Sequence, residues 1–197
     1  MSEIDLFKIE HNKIEPERGR ILISEPFADD FYFKRSVVLL IEHNEHGSMG
    51  FILNNYSIKI PVTSILRDMP DFGGRLSLGG PVSTDSLFYM HTLGSKVEGS
   101  IPIMHNLYWG GDFDEIKRLI TLGTANETNL RFFLGYSGWS EGQLASEISR
   151  NSWLVSESKV GEIMNTNEKK NLWKQSLKNL GQKYELWANF PEDPNLN

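Results

Sequence analysis

The sequence predicts a single α+β domain, and three features lead there. Short apolar runs and amphipathic stretches alternate too irregularly for a strand–helix–strand ladder. The run Val37-Val38-Leu39-Leu40-Ile41 is followed by a polar turn, Asn44-Glu45-His46-Gly47, and a second apolar stretch, Met49 to Asn54, the pattern of an antiparallel hairpin. No linker, repeat or low-complexity block divides the 197 residues, a length suited to one compact domain. The expected limits are an N-terminal arm over 1–17, the domain over 18–190 and a polar, frayed tail over 191–197.

The arm alternates charges with isolated apolar residues (Ile4, Leu6, Phe7, Ile9, Ile14). Gly19 to Ser24 reads as a strand stopped by Pro26, and Ser36 to His43 as a strand buried on both faces, because its apolar run is unbroken. Val62 to Met69 is a candidate short helix before Pro70. Arg75 to Leu78, Leu87 to Thr92 and Ile101 to Met104 read as short strands punctuated by glycines. The clearest helix opens at Asp112, with Glu115 completing a capping-box pattern, Phe113, Ile116, Leu119 and Ile120 on one face, and Gly123 as its stop. Leu130 to Tyr136 is a strand. Ser140 and Gln143 form a second capping box opening a helix to about Arg150, and Trp153 to Val155 is another strand. A last helix, about Glu168 to Leu180, aligns Trp173, Leu177 and Leu180 and closes at Gly181.

Composition excludes several function classes. With no cysteine there is no disulfide, thiolate nucleophile, cysteine-ligated iron–sulfur cluster or CxxC zinc site. Twenty-six acids against twenty bases leave a net charge of −6, a poor start for gripping phosphate backbones. The longest strongly apolar run is too short to span a bilayer, and the N-terminus lacks the basic flank and apolar block of a secretory signal. The expectation is a soluble cytoplasmic protein.

Several separated phrases in register carry a resemblance. They are Ser24-x-Pro26, Asp29, Phe33-x-Arg35-Ser36-Val37-Val38, Glu42-His43-Asn44, Gly47, Met49-Gly50, Asn54, Gly79-Gly80-Pro81-Val82 and His91-Thr92. Further on come Gly135-Tyr136-Ser137-Gly138-Trp139, Gly142-Gln143-Leu144, Glu147, Asn151, Trp153, Trp173, Leu177 and Leu180-Gly181. From about Gly19 to Gly181 the chain resembles the YqgE/AlgH family of small bacterial proteins. It departs from the family at Asn54-Asn55-Tyr56, where Asn-Lys-Pro is usual, and at Ala145, where Glu is usual. The resemblance implies a central, largely antiparallel mixed sheet flanked by helices and no established reaction. It also brings a transcriptional-regulator label, derived from alginate regulation, that supplies no mechanism.

Each candidate site has a structural counterpart. Gly135-Tyr136-Ser137-Gly138-Trp139 approximates a nucleophile elbow, but Trp139 stands where the second small residue is required. In the family the serine position often carries alanine. The expected role is a turn positioning the next helix. Glu42, His43, Asn44, Glu45 and His46 offer metal-ligand atoms without a metal-site spacing, since Glu42 and His43 end a strand and point to opposite faces. Arg35 and Ser36 open that strand, about 20 Å from Glu42 at ~3.3 Å per residue, so the two groups form no common site. Arg35 is expected to pair a carboxylate such as Asp29. Gly79-Gly80 offers backbone N–H groups to an anion, though proline removes one donor and no nucleotide-binding motif is present. Lys170, Lys174 and Lys178 form a stripe on the last helix, opposite its core face.

The leading functional reading is therefore a non-enzymatic regulatory or interaction protein, working through an unknown protein partner or a small ligand, with no cofactor or metal. An exposed aromatic patch drawn from Tyr32, Tyr56, Tyr108 and Trp109 would suit it. A small-ligand binder or a hydrolase-like enzyme using Ser137, His43 or His91 is the alternative, and a direct DNA-binding regulator the second. Neither membrane nor direct DNA binding is expected, and a homo-oligomer is left open.

Overall fold

Strand β1 (Ile21–Ser24) lies between β2 (Val37–Asn44) and β9 (Trp153–Ser156) in a computed structural model that describes residues 10–55, 60–66, 68–166 and 171–191. Arm residues Ile4, Leu6, Phe7 and Ile9, the patch residue Tyr56, Lys170, the expected helix start at Glu168 and the tail after Pro191 lie outside the described residues. The other strands are β3 (Gly47–Ile52), β4 (Leu76–Leu78), β5 (Val82–His91), β6 (Ile101–Met104), β7 (Leu107–Trp109) and β8 (Leu130–Ser140). They join in one nine-stranded sheet in the order β6-β7-β5-β8-β3-β2-β1-β9, with β4 also paired to β8. The β4–β8 pairing is parallel and the rest are antiparallel, giving the expected α+β, largely antiparallel mixed sheet.

Alternation along the central strands explains why their sequence is apolar without a break. Ile21, Ile23, Val37, Leu39, Ile41, Phe51 and Leu53 turn to one face, where helices α4 (Leu172–Asn179) and α5 (Gln182–Glu185) bring Trp173, Leu177 and Tyr184. Leu22, Val38, Leu40 and Ile52 turn to the other, against Trp139, Trp153 and residues Leu144 and Ile148 of helix α2 (Gln143–Ser149). Farther along that sheet, α1 (Phe113–Thr121) lays Ile116, Leu119 and Ile120 against Leu76, Tyr89, Leu130 and Phe132. Asp112 caps α1 as its spacing predicts, its Oδ1 accepting from the backbone N–H of Asp114 at 2.8 Å and of Glu115 at 3.1 Å.

Several elements differ from the sequence expectation. The helix expected over Val62 to Met69 is a single 3-10 turn, Val62–Ser64, entered from Pro61 without a side-chain cap. Strand β5 starts at Val82 rather than Leu87. Strand β8 runs to Ser140, so the tight turn expected at Gly135 to Trp139 is continuous strand, and the chain reverses after Ser140 instead. Strand β7 and the short helices α3 (Val160–Ile163) and α5 were not expected from the sequence, since three or four residues repeat too little of a strand or helix period to stand out.

Candidate functional site

Ser137 sits in the middle of β8, fully buried, where its Oγ donates to the Gly79 carbonyl at 3.1 Å. The same carbonyl accepts from Ile52 N–H at 2.9 Å, and Gly79 N–H donates to Leu134 O at 2.8 Å. That amide is therefore committed to the sheet and not offered to an anion, which removes the Gly79 donor from the nest expected at Gly79-Gly80. The glycines exist for close approach: a Cβ on Gly79 would collide with Gly135 O, and one on Gly80 with the Tyr136 carbonyl. Gly135 itself takes φ +66°, and a Cβ there would lie 2.7 Å from Gly80 O and 2.8 Å from Val82 O. It forms a bulge, since Val82 faces Tyr136 and Leu87 faces Leu134, leaving Ser83 to Ser86 opposite Gly135 alone.

Beyond the bulge, β8 resumes with one side closed and the other open. Trp139 is buried under α2, and its indole N–H donates to Glu147 Oε2 at 2.9 Å, which also accepts from Trp153 Nε1 at 2.8 Å. Gln143 fixes that carboxylate, donating to Glu147 Oε1 at 3.0 Å while accepting from Ser140 N–H at 3.0 Å and Ser140 O–H at 3.1 Å. On the open side, Tyr136, Gly138 and Ser140 join Glu42, Asn44, His46, Met49 and Val82 around a groove of about 450 Å³. Met49 and Tyr136 also pack against the α4-covered core, so the groove is the uncovered end of that sheet face.

The expected candidates do not converge. His43 is half-buried and its Nδ1 lies 2.7 Å from Ser48 Oγ, while Glu42 faces the groove. Asn44 Oδ1 accepts from His46 N–H at 2.9 Å, and the exposed His46 lies 3.6 Å from Glu45. Among the described residues no three His, Asp or Glu side chains are placed to share a metal ion.

His91 is fully buried at the end of β5, with Nδ1 accepting from Leu93 N–H at 3.3 Å. Its Nε2 lies 3.2 Å from Gly110 O and 3.1 Å from Ser100 Oγ, whose proton goes to Val97 O at 2.7 Å. This arrangement fits the neutral Nε2–H tautomer, because protonating Nδ1 would oppose it to an N–H donor. Burial accordingly holds the imidazole below its ordinary pKa of 6.5, the Gly110 bond opposing more weakly. Beside it, burial and then the Asp112 carboxylate push the Tyr89 hydroxyl up to about 12, and that hydroxyl donates to Gly111 O at 2.5 Å.

At the other end of β2, Arg35 does not take Asp29, which is exposed. Its Nη2 donates to Phe190 O at 2.6 Å and its guanidinium lies 4.9 Å over the Trp173 ring, whose Nε1 in turn donates to Ser24 O at 2.9 Å. Asn54 braces the strained Arg35 backbone (φ 51°), donating to Arg35 O and accepting from Val37 N–H, both at 2.8 Å. Ser36 N–H donates to Ser24 Oγ at 2.9 Å, and Ser36 Oγ is buried without a hydrogen-bond partner, beside a cavity of about 120 Å³ that Lys34 and Asn54 also line. The three described members of the expected aromatic patch, Tyr32, Tyr108 and Trp109, do not come together. Tyr32 packs with the α2 cluster, Tyr108 stacks on His91 at 5.8 Å and Trp109 packs near Phe51, while the exposed aromatics are Phe27 and Phe31.

The Glu147 clamp, the Gly79–Gly135 contact and the groove were not deducible as sites from spacing, although most of their residues, His46 and Ser140 apart, stand in the family phrases quoted above. A protein of Bacteroides thetaiotaomicron described as a UPF0301 protein is 50% identical over 194 residues, covering 98% of this chain and 97% of its own. A UPF0301 protein of Parabacteroides distasonis is 47% identical over 195 residues, covering 98% of each. The solution structure of the AlgH protein from Pseudomonas aeruginosa superposes with a TM-score of 0.69 at 25% identity, over 90% of this chain and 98% of that one. A crystal structure of a Corynebacterium diphtheriae protein shares the fold, with a TM-score of 0.74 at 24% identity over 92% and 95% of the two chains. The family model described as AlgH-like matches residues 21–185, and with these relatives the chain belongs to the AlgH-like family.

Proposed function

We propose that this protein is a non-catalytic binding protein whose working surface is the groove between the β2–β3 hairpin and the end of β8. The observation that carries the reading is the state of Ser137. The one serine in an elbow-like phrase is fully buried, spends its proton on the Gly79 carbonyl, and has no histidine within hydrogen-bond reach. His91 and His43 are each held by other partners, so the chemistry-bearing side chains serve the fold while the open polar groups line the groove.

A regulatory role in the cytoplasm, exerted through a bound partner and not through DNA, is part of this proposal. The net charge of −6 supports it, as does the pairing of Lys178 with Glu185 at 3.9 Å on the last helix, where a basic stripe would otherwise face outward. No helix among the described residues is long and apolar enough to cross a membrane.

The test is complementation of a deletion strain, read as its genome-wide expression profile. Ser137→Ala is expected to restore the wild-type profile. Gly138→Leu, whose Cβ would lie 3.1 Å from the Tyr136 ring and push that ring from its place in the groove lining, is expected to fail, with a melting curve checking that the fold is kept. Failure of Ser137→Ala at an unchanged melting temperature, with Gly138→Leu active, would overturn the reading and restore the enzyme alternative.

A further inference from the structure

The groove has a charge of one sign. Glu42 is half-buried on its wall and makes no hydrogen bond or ion pair among the described residues. The segments that build it carry no cation to answer that carboxylate: 36–58, 76–95 and 132–149 contain neither Lys nor Arg. The same stretches also carry Glu45, Asp85 and Glu141, all exposed, and among the described residues the only basic side chain lining the groove is the exposed His46, already 3.6 Å from Glu45. A lone carboxylate at the wall of a concave surface attracts a cation more strongly than one in open water, because the low-dielectric wall displaces the solvent that would screen it.

The rest of the lining selects among cations. Met49, Val82 and the Tyr136 ring supply an apolar wall, with the ring set beside the exposed Gly138, where a Cβ would lie 3.1 Å from it. A metal ion or free ammonium would leave that wall unused, and a lysine stem would cover it but end in a strongly hydrated point charge with no planar fork. A guanidinium on a three-carbon stem uses all of it: the stem lies along Met49 and Val82, the planar head stacks on Tyr136, and the fork pairs with the Glu42 carboxylate. We propose that the groove receives an arginine side chain from an exposed, extended segment of a partner protein. This rests on the groove being the working surface, and it adds the chemistry that surface recognises.

The experiment is titration of the isotope-labelled full chain with capped tripeptides of glycine–X–glycine, followed by amide chemical shifts. X is arginine, its neutral isostere citrulline, leucine or glutamate, and free agmatine is a further arm. The arginine peptide is expected to shift amides of 42–49 and 136–140 at lower concentration than any other probe. Glu42→Gln is expected to weaken it about tenfold, the equivalent of one charge-assisted contact at ~1.4 kcal/mol, and added salt to weaken it further. Equal binding of the citrulline or leucine peptide, or preference for glutamate, would overturn the arginine proposal while leaving the groove as the binding surface. Agmatine binding as tightly as the peptide would overturn the protein source in favour of a small amine. No shift at 42–49 or 136–140 with any probe would overturn the arginine proposal, and Gly138→Leu restoring the expression profile would separately remove the groove itself.

Discussion

The two faces of the last turn-free stretch of β8 make an informative pair. Ser137 and Trp139 point to one side, Gly138 and Ser140 to the other, as strand alternation requires. On the first side every polar group is consumed: Ser137 by Gly79 O, both indoles by Glu147, and Glu147 by Gln143. On the second side the Glu42 side chain makes no hydrogen bond or ion pair among the described residues, and Gly138 is exposed beside the Tyr136 ring. A carboxylate that accepts from two indoles and an amide is part of the scaffold. A carboxylate at a groove wall with no donor beside it among the described residues is the group the proposed ligand would meet. The residues lie within a few positions of one another, so the difference comes from which face α2 covers.

Substitutions should separate the two faces by size of effect. Trp139→Ala removes a buried indole and opens a cavity under α2, and is expected to cost about 3–5 kcal/mol in a urea denaturation. Glu147→Ala leaves two indole N–H groups unpaired and is expected to cost about 1.5–3 kcal/mol by the same measurement. An equal loss from Glu42→Ala would erase the distinction between the faces.

His91 extends the comparison to the other end of the sheet. Its folded pKa lies below 6.5, so the unfolded chain binds the extra proton first. The stability gained from holding it neutral is full above pH 6.5 and is lost as pH falls from there through the folded-state value. Melting temperature should therefore drop on acidification in the wild type, and His91→Gln should flatten that slope. An unaltered slope would assign the acid sensitivity elsewhere. Ser137→Ala is expected to cost only about 0.5–1.5 kcal/mol, since Gly79 O keeps the Ile52 N–H. Glu42→Gln should change stability by less than ~0.5 kcal/mol, as expected for a surface group outside any network.

Much of the fold was legible because it depends on local patterning. The run Val37 to Ile41 announced a strand covered on both faces, and Asp112 with Glu115 announced the start of α1. The misreadings share a cause. Gly135, Ser137 and Gly138 look like a turn, yet the chain runs on as one strand past a bulge at Gly135, held by β5 on one side and by β3, β4 and Gly79 on the other. Glycine composition reports that the chain must come close to something, without saying whether to itself in a turn or to a neighbour across a sheet. Arg35 was likewise readable as a committed cation, but its acceptor is a carbonyl 155 positions away.

The sequence by itself determined the α+β class, the antiparallel hairpin, the absence of thiol chemistry and the family motifs, because composition and periodicity act within a few residues. Only the tertiary structure decided which polar groups are spent and which remain available. Gly79 reaches Ser137, Glu147 reaches Trp153, and the Glu42 side chain reaches no partner among the described residues, because the order of strands in the sheet sets which backbone and which helix stand beside each side chain.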